Sequence, residues 1–298
     1  MTSLKGLKAL IIALVLALSV TACSSGTAAS PGGASTAESG KPITIGVVGA
    51  SQDQWTVFKK LADAQGLNVQ LQNFTDYTTE NPAVSNGSLT ANQFQHILYL
   101  AQYNKDNKAD LVPLAATAIY PLALYSKKYT KIEDIPAGAQ IAVPNDETNK
   151  SRALHVLAEA KLVTLKAGTG VIAGEENIDT AASKVTVAPM DAQQTVTALP
   201  SIAGAVVNND FVADAGLDPK TALFADDAAS EAAQPYINVF VVRKADAQNA
   251  DLQKVAKLFS EKEFRDALSK DSGNSAVFVE KTPEELQKIL ADVTAQLG

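Results

Sequence analysis

Two rhythms of apolar residues alternate along the chain. Residues 43–48 (ITIGVV) form a short β-branched run behind Pro42, the pattern of a buried strand. Residues 52–64 have a helical pattern closed by Gly66, and residues 69–74 (VQLQNF) then alternate as a second strand. Residues 93–104 read as a helix, with Phe94, Ile97, Leu98, Leu100 and Ala101 at helical spacing. Runs at 111–118, 122–126 and 141–143 predict strands, the first two separated by Pro121 and the third ended by Pro144. A strong helical pattern covers 147–160, with Ala153, Leu154, Leu157 and Ala158 on one side. Further short strands are predicted at 184–188, 205–207 and 237–242, and helices at 252–259, 264–269 and 283–297. Pro283 suits the first turn of the last helix, with Thr282 as its cap.

Strand and helix alternating throughout predict the α/β class, with mainly parallel sheets flanked by helices. A chain of 298 residues has room for two lobes. Crossings are expected near 118–121 and between 224 and 237. Lobe 1 is then 41–120 plus about 230–298, and lobe 2 about 121–229.

The first 40 residues follow a different pattern. Lys5 and Lys8 precede an apolar run over 9–20 broken only by Ser19, too short to span a bilayer comfortably and typical of a signal-peptide core. The run ends in Val20-Thr21-Ala22-Cys23, small residues before a cysteine, which resembles a bacterial lipobox. Residues 1–22 are thus expected to be a signal peptide whose cleavage leaves Cys23 as a lipid-modified N-terminus. Residues 24–40 are Ser, Gly, Ala and Thr with only Pro31 and Glu38 among them, too little apolar surface to order itself. Residues 23–40 therefore predict a lipidated cysteine on a flexible tether with a reach of about 20–25 Å.

Charge narrows the partners. Lys plus Arg number 25 against 32 Asp plus Glu, a net −7, which argues against nucleic acid. The single Cys excludes an intrachain disulfide and any multi-thiolate metal site. His96 and His155 are the only histidines, so a metal would need several carboxylates. No G-x-S-x-G elbow or phosphate loop occurs, and Gly168, Gly170 and Gly174 miss the dinucleotide spacing by one residue. The acid pairs Glu175-Glu176, Asp226-Asp227 and Glu284-Glu285 sit among small or polar residues, as solvated faces do. No catalytic residue, metal or cofactor is expected.

Polar and aromatic strings remain. They are Phe74-Thr75-Asp76-Tyr77, Asn92-Gln93-Phe94-Gln95-His96 with Tyr99, Asn145-Asp146-Glu147-Thr148-Asn149 leading to Arg152, Asn208-Asn209-Asp210, and Tyr236-Ile237-Asn238. Most lie where a predicted strand gives way to loop or helix, the place where open α/β sheets bind ligands. Asn145 or Asp146 can cap the helix whose first turn carries Asn149 and Arg152, three residues apart and so on one face. A helix N-terminus attracts anions, and an arginine fork pairs with a carboxylate through two hydrogen bonds. The competing reading is an arginine paired with a nearby acid. The aromatics suit a thioether or plain core, and amides such as Asn208 and Asn238 can bridge the two charges of a zwitterion. The inventory fits a small zwitterion with a polar end and an apolar tail.

The strings F-T-D-Y, N-Q-F-Q-H-x-x-Y-L, Y-S-K-K, P-N-D-E-T-N-x-x-R-A-L, V-N-N-D-F and P-Y-x-N together resemble the methionine-binding lipoproteins of ABC importers, the NlpA/MetQ family. The likeness keeps motif order and spacing from about residue 43 to at least residue 270. It implies a two-lobed periplasmic-binding-protein fold, type II-like, that closes over an amino acid and delivers it to an ABC transporter permease. The cell membrane's extracytoplasmic face, reached by the lipid on Cys23, is the implied location. L-methionine is the favoured ligand; D-methionine, another small amino acid or a Met-containing dipeptide is the alternative. By position, Phe74, Tyr77, Phe94, His96 and Tyr99 would flank the ligand's side chain. Arg152 would grip its carboxylate, with Asn149, Asn208 and Asn238 completing the polar end. Thr90 stands where the family carries an acid, and Ser51-Gln52-Asp53 where it often carries a Pro-Gly pair, departures that bear on the ligand more than on the fold.

Overall fold

The structure, a computed structural model, describes residues 41–297; the signal peptide, Cys23 and the tether expected over 1–40 lie outside the described residues. In chain order the strands are β1 (Ile43–Val48), β2 (Val69–Phe74), β3 (Ala91–His96), β4 (Leu111–Ala116), β5 (Ala118–Ile119) and β6 (Ala123–Tyr125). They continue with β7 (Gln140–Pro144), β8 (Thr186–Met190), β9 (Gly204–Val207), β10 (Phe224–Ala225), β11 (Asn238–Arg243) and β12 (Val277–Phe278). The helices are α1 (Asp53–Ala64), α2 (Glu80–Ser85), α3 (Ile97–Asn107) and α4 (Glu147–Glu159). After them come α5 (Ala192–Ala198), α6 (Ala250–Leu258), α7 (Lys262–Asp271) and α8 (Pro283–Gln296).

One sheet has the order β2-β1-β3-β11-β4 and the other β10-β6-β9-β7-β8, each the centre of a lobe, while β12 and β5 form a short ribbon. The α/β class, the two-lobed fold and the mainly parallel sheets hold: four of the five strands of each sheet share one direction, and β11 in the first and β6 in the second are reversed. β1 runs parallel to β2 and β3, whereas β11 runs antiparallel to β3 and β4. Likewise β7 is parallel to β8 and β9, whereas β6 is antiparallel to β9 and β10. The cause is connectivity. β6 and β11 are the strands by which the chain enters a lobe from the other one, so each begins at the cleft and runs away from it. Asn238, the first residue of β11, pairs with His96, the last of β3, and Ala123 of β6 pairs with Val207 of β9.

Strand alternation splits the packing of the first sheet between two cores. Phe240 and Val242 of β11 face the core built with Trp55, Phe58, Phe259 and Phe264, where Phe58 and Phe259 lie 4.7 Å apart. Val239 and Val241 face the opposite core, with Ile97, Leu98, Leu286 and Val293. The second sheet does the same, with Leu124, Val143 and Val206 against Leu157 of α4 on one side and Ala123, Ala205 and Val207 with Leu199 on the other.

Residues 91–96 are strand and not the start of a helix, which corrects the reading of 93–104. Their amides are buried in a network that a free-standing helix would leave unmade. Asn81 Nδ2 donates to Gln95 Oε1 at 2.7 Å, Asn92 Nδ2 to Asn81 Oδ1 at 2.8 Å, and Gln95 Nε2 to Asn92 Oδ1 at 2.9 Å. The helix begins at Ile97 because His96 caps it, its Nδ1 accepting from the Tyr99 N–H at 3.1 Å.

Candidate functional site

The ends of β3 and β9, the start of β11, the first turns of α4 and residues 120–122 between the lobes surround one cavity. Eight residues singled out from the sequence line it: Tyr77, Phe94, His96, Tyr99, Asn149, Arg152, Asn208 and Asn238. Phe74 does not. It is packed one layer behind, partly buried against Tyr77 and Phe94 on one side and the Ile97 core on the other, its ring 3.1 Å from where a Cβ on Gly46 would stand. The cavity also takes Gln95, Asn209 and Asp210 from strings already noted, and Tyr120, Pro121 and Leu122 from the first crossing. The crossing residues had only Pro121 to mark them, a signal for a break in a strand and not for a site.

Asp146 N-caps α4, its Oδ1 accepting from the Asn149 N–H at 2.9 Å. Asn149 Nδ2 donates to the same carboxylate at 3.1 Å, which turns Asn149 Oδ1 toward Asn208 and, across the cleft, His96. That oxygen receives Asn208 Nδ2 at 2.9 Å and His96 Nε2 at 3.3 Å. Burial, followed by the nearby Arg152 charge, lowers the His96 pKa to about 3, so the ring is neutral. Its Nδ1 accepts from Tyr99, so its proton sits on Nε2 and is donated to Asn149. Asn208 Oδ1 is buried with no hydrogen-bond partner, an acceptor left for whatever fills the cavity.

Arg152 is buried at 5 % exposure and stacked on Tyr236, 4.0 Å from the ring centroid. Its fork is already occupied. Nε donates to Asp226 Oδ2 at 2.7 Å, and Nη2 to Asp226 Oδ1 at 3.2 Å and to the Tyr120 carbonyl at 2.9 Å. The competing sequence reading, an arginine paired with an acid, is thus part of the site. Asp226 is no solvated residue, which corrects its place among the exposed acid pairs: its side chain is 18 % exposed. Only Nη1 carries none of these bonds.

The other end of the cavity is aromatic. Tyr77 lies 5.7 Å from Phe94 and 5.4 Å from Phe211, and Phe94 stands edge-on to Tyr99 at 5.7 Å. Tyr99 donates its hydroxyl to the Tyr77 carbonyl at 2.7 Å. The Tyr77 hydroxyl donates to Asp210 Oδ2 at 2.7 Å. Burial raises the Asp210 pKa to about 6 and pushes the Tyr77 phenol well above its ordinary range. Behind this wall Glu80 is fully buried with neither carboxylate oxygen partnered, and burial raises its pKa to about 8. Among the described residues no group of three His, Cys, Asp or Glu is placed to hold a metal ion.

Comparison with known proteins covers almost all of this architecture. The chain is 35% identical to the D-methionine-binding lipoprotein MetQ of Escherichia coli (strain K12) over 240 residues, 79% of this chain and 87% of the relative. The substrate binding protein of a methionine transporter from Streptococcus pneumoniae has a similar fold, with a TM-score of 0.75, 34% identity and coverage of 80% of this chain and 95% of that one. A nutrient binding protein from Burkholderia cenocepacia bound to methionine gives a TM-score of 0.74 at 33% identity, over 79% of this chain and 99% of that one. The NlpA lipoprotein family pattern matches residues 43–279, which take in both sheets and every residue that lines the cavity, and the chain belongs to that family.

Proposed function

We propose that this protein is the receptor of an ABC importer, held at the extracytoplasmic face of the cell membrane by lipid on Cys23, and that it captures L-methionine and passes it to a permease. The observation that carries the reading is the division of one cavity into two ends. Arg152 Nη1 and the unpartnered Asn208 Oδ1 lie on the polar side, and Tyr77, Phe94 and Tyr99 on the apolar side. In this reading Arg152 meets the carboxylate through Nη1, and Asn149, Asn208 and Asn238 hold the polar end. Tyr77, Phe94, His96 and Tyr99 flank the side chain, each sulfur–aromatic contact contributing about 0.3–1.5 kcal/mol, with Phe74 supporting them from behind. The relatives support methionine as the ligand, the Escherichia coli relative being named for D-methionine and the Burkholderia cenocepacia protein being bound to methionine. No bond is broken: the ligand is captured, enclosed and released.

Residues 1–22 serve as the signal peptide and 23–40 as the lipidated tether; lobe 1 comprises 41–120 with about 230–298, and lobe 2 about 121–229. No helix among the described residues is long and apolar enough to cross a membrane, in keeping with a lipid as the attachment. Mass spectrometry of the processed protein should find the acyl groups on Cys23.

Calorimetric titration of the full-length protein in detergent tests the ligand. L-methionine should bind more tightly than D-methionine, Met-containing dipeptides and other amino acids, and should be recovered unchanged. At 100 times its dissociation constant it should stabilise the fold by about 2.7 kcal/mol. Binding of another zwitterion with none of methionine would overturn the ligand assignment and leave the receptor role standing.

A further inference from the structure

Arg152 is the one cation lining the cavity among the described residues, and two of its three nitrogens are engaged by the protein itself. The partner, Asp226, lies just past the end of β10, where the chain leaves the second lobe. Its Oδ1 also accepts from the Leu122 N–H at 2.8 Å, and its own N–H donates to the Leu122 carbonyl at 3.3 Å. Leu122 and Tyr120 belong to the other segment that joins the lobes. One carboxylate therefore ties together an α4 side chain and both connections between the lobes.

We infer that Asp226 is a positioning residue for ligand capture: it holds the Nε–Nη2 edge of Arg152 against the two lobe connections and leaves Nη1 as the nitrogen offered to a ligand carboxylate. The inference rests on the reading that the cavity takes an amino-acid zwitterion. It adds a rule about charge. A guanidinium with its own carboxylate is a neutral pair, so Arg152 itself demands no net negative charge from the ligand. Without the Asp226 charge, Arg152 becomes an uncompensated buried cation, and such a charge is strongly unfavourable. The ligand's carboxylate would then have to balance it. Asp210, the other charged group at the cavity, is the same in both cases and cancels from a comparison.

The test is the full-length protein in detergent, as wild type, Asp226→Asn and Asp226→Glu, titrated with methionine and with methionine amide, which lacks the carboxylate charge. Asparagine keeps the shape and an acceptor oxygen for Leu122 but removes the charge. The ratio of the amide's Kd to that of methionine should rise about tenfold or more in Asp226→Asn and return toward the wild-type value in Asp226→Glu. A role confined to holding the fold would weaken both ligands together, and an unchanged ratio overturns the inference. A second readout needs no ligand. The Nε–H of Arg152, assigned against Arg152→Lys, should exchange slowly with water in the wild type and at least tenfold faster in Asp226→Asn. Fast exchange in the wild type overturns the inference even if Asp226→Asn does not fold. If slow exchange accompanies a wild type that binds no methionine, the functional reading fails and the positioning of Arg152 stands.

Discussion

The Tyr77 hydroxyl and Asp210 Oδ2 are 2.7 Å apart, across the cleft from one lobe to the other. Tyr77 follows β2 of the first sheet, and Asp210 follows β9 of the second. With the 5.4 Å contact between Tyr77 and Phe211, the pair joins the lobes at the aromatic end, and the hydrogen bond between His96 and Asn149 joins them a second time. Closing over a ligand needs interactions that exist only in the closed arrangement, because a ligand shifts that equilibrium by its differential affinity alone.

Tyr77→Phe keeps the ring and removes the donor. Asp210 then stays in the closed cleft without its partner, at about 1–3 kcal/mol. Methionine affinity should fall about tenfold, as measured by calorimetry, with little change in the melting temperature of the ligand-free protein. Equal affinity in the two proteins would show that the hydroxyl has no part in closure.

Asp210 and His96 make opposite contributions to pH dependence. Burial raises the Asp210 pKa from 3.8 to about 6, so its contribution to stability is full below 3.8 and is lost as pH rises through about 6. Burial lowers the His96 pKa from 6.5 to about 3, so its contribution is full above 6.5 and lost as pH falls toward 3. A step in stability or affinity near pH 6 should therefore disappear in Asp210→Asn, while the His96 ring proton resonances stay constant between pH 5 and 8. A His96 titration near its ordinary value would contradict the buried, neutral ring.

Glu80 is the sharper case for stability. Its carboxyl is buried without a partner and its pKa is raised from 4.5 to about 8, so stability is full below 4.5 and is lost as pH rises through about 8. Glu80→Gln, neutral and nearly isosteric, should be more stable than the wild type at pH 8.5 by several kcal/mol and nearly equal at pH 4.5. Thermal melts at the two pH values check this, and a difference independent of pH would refute it.

Removing Arg152 alone has two effects that a second substitution separates. Arg152→Ala leaves Asp226 as a buried charge without its partner, a loss of about 3–5 kcal/mol, and should also abolish methionine binding. Adding Asp226→Ala removes that charge, so much of the stability should return while binding does not. Recovery of binding in the double variant would remove Arg152 from the ligand's contacts.

Much of the fold was legible because its signals are local. The strand at 43–48 announces itself by six consecutive residues, and the last helix by Thr282 and Pro283, a cap and first turn that adjoin in the chain. The strings that meet at the cavity were legible too, since each is a short polar interruption at the end of an apolar run. The Gln93–His96 stretch was not, because its apolar spacing fits a helix and only the pairing of Gln95 with Asn81, 14 residues away, shows why it is strand.

By itself, then, the sequence determined the element types, the places where strands give way to loops, and the residue kinds available there, all properties of neighbours along the chain. The tertiary structure alone decided which of those residues share a cavity, that Phe74 stands behind it, and how Arg152 is held. Asp226 is 74 positions from Arg152, and Asp210 is 133 from Tyr77. No local pattern carries such pairings. They follow from strands that enter each lobe at the cleft, where burial makes an unpaired charge costly and Arg152 and Tyr77 meet their partners across the fold.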